Sequence, residues 1–206
     1  TNSLEIKNLI SFLRSVNNTP ELYILEKIIK KGYLISNIFL EFDGQGKVKN
    51  NYKFKGFIKD GKVSIFKTHE IEKIEFIFEI SNNNYQIKDI DFSWNKIPLK
   101  SKNITIRINK NDYLIDGSIE NKNVKIDKKL IDNFFRPTSS KYEINNINLS
   151  SKNDFQIKLN DNYRITDLKF SSNLSLDSLD FKNDLKLDRF FPNLKRIIKL
   201  KNHSIN

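Results

Sequence analysis

The chain has 206 residues, 38% of them hydrophobic and 30% charged, with a formal net charge of +11. That balance is too apolar for a disordered chain, and the length suffices to bury a sizeable core. Cysteine is absent, which excludes disulfides, thiol nucleophiles and Cys-ligated zinc.

A first helix is predicted over 4–13, where Ile6, Leu9, Ile10 and Leu13 recur at helical spacing and Ser3 is available as a cap. A second is better marked. Thr19 suits the N-cap, Pro20 the first helical position, and Leu22, Leu25, Ile28 and Ile29 make an apolar stripe. Lys30 and Lys31 would fill its last turn and Gly32 would close it. Residues 1–32 therefore read as a helical cap or connector for a sheet. Lying on a membrane surface would call for a broad basic face, which the second helix lacks.

From residue 33 onward the period changes. Ile74, Phe76, Phe78 and Ile80 fall on one side and Glu75 and Glu79 on the other, the period-2 pattern of a half-buried strand. Strands are predicted over 34–42, 48–58, 63–65, 71–80, 85–94, 97–108, 113–119 and 124–126. Turns fall at Gly44-Gln45-Gly46, at an Asp60-Gly61 hairpin, at 82–84, at Asn111-Asp112 and at 120–123. Residues 33–126 thus form a first meander block. A connecting helix is predicted over 127–137, with Asp127 as cap, Leu130, Ile131, Phe134 and Phe135 at helical spacing, and Pro137 as the stop. A second block, 138–206, holds strands over 142–149, 155–159, 163–170 and 174–181 and a short helix around 192–198. The fold class is mainly β with a few short α-helices, built on a long antiparallel meander with one apolar and one charged face.

The search for chemistry is mostly negative. His69 and His203 belong to no metal-spacing motif, and neither a Gly-rich phosphate loop nor a Gly-x-Ser-x-Gly elbow occurs. Asp89 and Asp91 flank Ile90 and read as the solvated side of a strand rather than an acid–base pair. No enzyme, cofactor or metal is expected. The basic charge admits an anionic partner, nucleic acid or phospholipid headgroups, but Lys is spread along the chain with Asp and Glu interleaved. Residues 52–59 interleave bases and aromatics as RNA-binding sheets do. Yet Tyr52 and Phe54 lie opposite Lys53 and Lys55, so no aromatic platform faces the cations, and nucleic acid is an unfavoured partner. No apolar run approaches the ~18 residues of a spanning helix. The chain begins at Thr1, as a piece of a longer protein would.

Several stretches resemble a known family. Gly32-Tyr33-Leu34-Ile35 after two short helices, the turn Asp43-Gly44-Gln45-Gly46, and the run from Phe54 to Val63 look like the repeating segments of AsmA-like proteins, a group that includes TamB and YhdP. So do the units at 85–90, 99–104 and 113–119. The likeness covers residues 20–126 best, and its motifs are turns and alternation. It implies a twisted sheet rolled into an open, taco-like groove that carries phospholipid across the periplasm, in an inner-membrane-anchored protein of the Gram-negative envelope.

Such a groove needs one continuous apolar face, since each buried methylene contributes ~0.8 kcal/mol to holding an acyl chain. The positions expected to line it are Tyr52, Phe54, Ile74, Phe76, Phe78, Ile87, Phe92, Trp94, Ile104, Ile106, Tyr113 and Ile115. The expected function is non-enzymatic phospholipid binding and transfer, with acyl chains, the membrane and other envelope proteins as partners. The competing reading is a structural β-domain whose apolar face is covered by its own helices and which docks another protein through its sheet edges.

Overall fold

A computed structural model describes residues 3–17, 19–47, 49, 51–65, 69–81, 84–109, 112–128, 130–131, 142–183 and 197–205. Among them two helices, α1 (Ile6–Val16) and α2 (Pro20–Ile28), precede nearly all of the β-structure. The strands are β1 (Leu4–Glu5), β2 (Ile29–Phe39), β3 (Lys53–Ile65), β4 (His69–Ser81), β5 (Asn84–Trp94), β6 (Ile97–Asn109), β7 (Asp112–Asp127), β8 (Tyr142–Asn160), β9 (Ile165–Asn183) and β10 (Ile197–Ile205). They lie in sequence order in one open sheet, an antiparallel meander.

The helices start and stop where pairing allows. The Thr19 hydroxyl accepts from the Leu22 amide and Pro20 opens α2, as the sequence predicts. Ser3 does not cap α1. Leu4 and Glu5 are instead drawn into β1 opposite Leu34 and Tyr33, so the helix begins at Ile6 with Glu5 at an N-cap that makes no side-chain bond. Nor does Gly32 close α2. The helix ends at Ile28 and the chain continues as β2, with Ile29 opposite Val63 and Lys31 opposite Lys62. Gly32 is needed for another reason: it holds a φ of +150°, and an added Cβ would stand 2.9 Å from the Ile6 side chain. Both helices pack at this end, α1 on α2 and β2, and α2 on β2 and β3.

Asp60-Gly61 is not a hairpin. β3 runs straight through it, because β4 supplies a partner on the far side, Gly61 opposite Ile74 and Val63 opposite Ile71. Asp60, at φ +52°, absorbs the extra residue as a bulge, and Lys73 and Asp89, at φ +55° and +50°, stand at the neighbouring register shifts. The predicted breaks at 120–123, 150–154 and 171–173 are likewise strand interiors, in β7, β8 and β9. Their polar side chains satisfy one another. Asn121 exchanges bonds with Ser151 at 3.0 and 2.9 Å, the Asn123 amide donates to the Ser150 hydroxyl at 2.9 Å, and the Ser172 hydroxyl donates to Asn153 at 2.7 Å.

Leu130 donates its amide to the Asp127 carboxylate, so Asp127 caps as expected; Phe134, Phe135 and Pro137 lie outside the described residues. Ile197 and Ile198, expected in a short helix, stand in β10 opposite Lys182 and Phe181, where pairing with β9 overrides helical spacing; residues 184–196 lie outside the described set.

The chain divides into two compact units, Thr1–Ile119 with Asp154–Ser171, and Glu120–Asn153 with Ser172–Asn206. Their limits cut across β7, β8 and β9 rather than falling between the expected sequential blocks.

Candidate functional site

The first unit carries the apolar face. Residues directly opposite one another in an antiparallel pair share a face. One row runs Phe54, Ile80, Tyr85, Ile106, and the next runs Gly56, Phe78, Ile87, Ile104. Ile58 stands opposite Phe76 and Gly61 opposite Ile74. Beyond the bulges the rows resume with Ile71, Trp94 and Ile97, and with Phe92 opposite Leu99. The bulges explain this continuity: inserting one residue restores the apolar side chains to the same face. Rings pack within the rows on each side of the bulges, with Phe54–Phe78 and Phe76–Phe78 centroids 5.0 and 6.4 Å apart and edge-on, and His69 5.8 Å from Trp94.

Tyr113 and Ile115 continue the face from β7. Asp116 reaches Arg107 at 2.7 Å on the charged side, which leaves its neighbours on the side of Ile104 and Ile106. Tyr52 stands one residue before β3 and belongs to no row. The register adds members the expected set lacks. Alternation alone could have found Ile58 and Ile80, whereas Ile38 and Leu99 become visible only through their partners Phe54 and Phe92.

Exposure is the notable property of this face. Of the twelve expected positions only Phe78 is buried, at 8%; Trp94 is 36% exposed and the remaining ten are half-buried. Few of its side chains are buried outright, Ile90 and Ile97 being the buried apolar ones of β5 and β6. Two glycines let the strands close up under large side chains. A Cβ on Gly56 would stand 2.5 Å from the Phe78 ring, and one on Gly117 would stand 2.9 Å from Ile104.

The opposite face is charged and internally compensated. Lys53 and Lys55 reach Glu79 at 2.8 and 3.3 Å, Lys62 reaches Glu70 and Glu72, and Lys100 reaches Asp91 at 2.8 Å. The hydrogen bond from Lys53, helped by Lys55, holds the Glu79 carboxyl below its ordinary range, against the desolvation that raises it. The same bond holds Lys53 above the ordinary lysine value. Phe54 points away from these lysines. The cations of β3 therefore meet carboxylates, not an aromatic platform.

An open depression of about 870 Å³ crosses β5 to β9 within this unit. Its lining mixes Lys88, Lys102 and Lys169 with Asp89, Asp116 and Asp154 around Phe155 and Phe170. Asp91 is engaged by Lys100, and Asp89 is exposed at its bulge. Among the described residues no group of three or more His, Asp or Glu is placed to hold a metal ion. No described helix is long and apolar enough to cross a membrane. No protein-family model, curated protein or solved structure matches the chain.

Proposed function

We propose that the exposed apolar face of the first unit holds acyl chains, and that the chain is a non-enzymatic phospholipid-binding and transfer segment of the cell envelope. The observation that carries this reading is the partial exposure of contiguous rows, from Phe54 to Ile106 and from Ile87 to Ile104, on strands otherwise satisfied by pairing. Contiguous apolar surface of this kind on a folded domain calls for an apolar partner. A chain of a dozen carbons laid along it gains roughly 10 kcal/mol before ordering costs. Headgroups would stay in solvent or near lysines at the margin.

The rival expectation, a face covered by the protein's own helices, fits less well. α1 and α2 pack at the β1–β3 end, while Phe76, Ile87, Phe92 and Ile104 stay half-exposed. The resemblance of residues 20–126 to AsmA-like segments is the second support, and the envelope location is proposed on that resemblance.

Photo-crosslinking to a phospholipid with a reactive acyl chain tests the assignment. Phe76→Asp removes label from the face, whereas Ile77→Asp, on the charged side and 46% exposed, leaves it within about twofold of wild type. Undiminished labelling of a folded Phe76→Asp protein would overturn it.

A further inference from the structure

The depression across β5 to β9 holds two opposite charges that the fold itself does not use. In a regular strand consecutive side chains point to opposite faces, yet Lys88 and Asp89 of β5 both line it, as do Lys102 and Asn103 of β6. On β5 the cause is Asp89, which at φ +50° stands where that strand shifts register against β4. Lys88 is paired with Asn103 and Ile90 with Ser101, so Asp89 and Lys102 stand across from each other between those pairs. Opposite charges placed in this way ordinarily bond. Two residues along the same strands, Lys100 and Asp91 do meet, at 2.8 Å. Asp89 and Lys102 do not: both are exposed, and among the described residues neither side chain has a hydrogen-bond or ion-pair partner. Lys88 is only loosely engaged, because its partner Glu79, 3.9 Å away, is shared with Lys53 and Lys55.

The same place adjoins the apolar face. Ile87 and Ile104, a register pair of that face, are the chain neighbours of Lys88 and Asn103. Gly117 also lines the depression, and an added Cβ there would stand 2.9 Å from the Ile104 side chain and 3.2 Å from the ring of Phe155, another lining residue. The apolar row therefore runs up to the depression. Given the acyl-chain reading of that face, on which this rests, we infer that the β5–β6 end of the depression takes the headgroup of a zwitterionic phospholipid, an amine-bearing phosphate ester. Lys102, with Lys88 beside it, holds the phosphate, and Asp89 holds the ammonium. The acyl chains leave along the row of Ile87 and Ile104. A purely anionic head would satisfy Lys102 and set a like charge against Asp89, whereas a zwitterion satisfies both. At about 870 Å³ the depression has room for a headgroup and its glycerol.

The test offers the intact protein vesicles of equal parts phosphatidylethanolamine and phosphatidylglycerol, then identifies the retained lipid by mass spectrometry. Bulk attraction from a net charge of +11 favours the anionic phosphatidylglycerol, so the opposite preference reports the site. Wild type should retain phosphatidylethanolamine about fivefold over phosphatidylglycerol. Asp89→Asn keeps a residue that tolerates positive φ and should bring that ratio to about one or below. Lys125→Gln, at an exposed lysine of the second unit, should leave it within about twofold of wild type. Soluble glycerophosphoethanolamine, which has no acyl chains, should shift the amide resonances of residues 88, 89, 102 and 103 at roughly millimolar concentration, and Lys102→Gln should abolish the shifts. Phosphatidylglycerol retained at or above phosphatidylethanolamine by wild type, or a preference unaltered in Asp89→Asn, overturns the inference and leaves the acyl-chain reading standing. Inorganic phosphate that reproduces the shifts in full also overturns it, since only an anion would then be recognised. Shifts from glycerophosphoethanolamine with no lipid retained would keep the site, with a soluble ester as its ligand, and sink the acyl-chain reading instead.

Discussion

Gly56 shows how narrowly single positions are set in the first unit. Its ordinary backbone conformation needs no glycine, but the Phe78 ring lies where a Cβ would go, and the Ile35 carbonyl oxygen stands 2.6 Å from the same point. Phe78 in turn holds Phe54 and Phe76 edge-on. Gly56→Ala must therefore displace either a ring that anchors two others or a strand backbone, and it should cost roughly 1–3 kcal/mol, read as a lowered urea midpoint with an unchanged m-value. A neutral Gly56→Ala would mean that the Phe78 ring can leave Gly56 without loss. Glycine at this place is legible in the sequence; the reason for it is not, since Phe78 is 22 residues away and only the register brings the two together.

At the scale of elements, alternation identifies nearly every strand, and Thr19-Pro20 and Asp127 mark helix starts correctly. What local sequence cannot tell is whether a residue suited to positive φ turns the chain or merely bulges it. Asp60 and Asn123, at φ +52° and +50°, carry the chemistry of hairpin turns, yet each sits inside a continuous strand because a distant partner extends past it. The same long-range pairing converts Ile29–Gly32 from an expected helix end into the start of β2. The apolar face depends on these bulges, since without the inserted residue at Asp60 the side chains of Val63 and Ile65 would exchange sides. A β-branched residue is poorly suited to this backbone, so Asp60→Val should destabilise by about 1–2 kcal/mol while Asp60→Gly stays near neutral. Equal melting temperatures for the two variants would show that the bulge is not a constraint.

For the whole molecule, the two units differ in character. The first has contiguous apolar rows with half-exposed side chains, backed by a charged face whose lysines and carboxylates compensate one another. The second is crossed by Asn and Ser side chains that bond between β7, β8 and β9. The many lysines are therefore a poor guide to partners, since several of them meet carboxylates in cross-strand ion pairs. The apolar rows are the better guide, and they make lipid the central proposal. Mass spectrometry of organic extracts from the intact protein, purified without detergent, tests it most directly. Phospholipid should be retained at about one or more molecules per chain, because most side chains of the apolar face are only half-buried. A folded, soluble protein that yields no lipid in such extracts would contradict it.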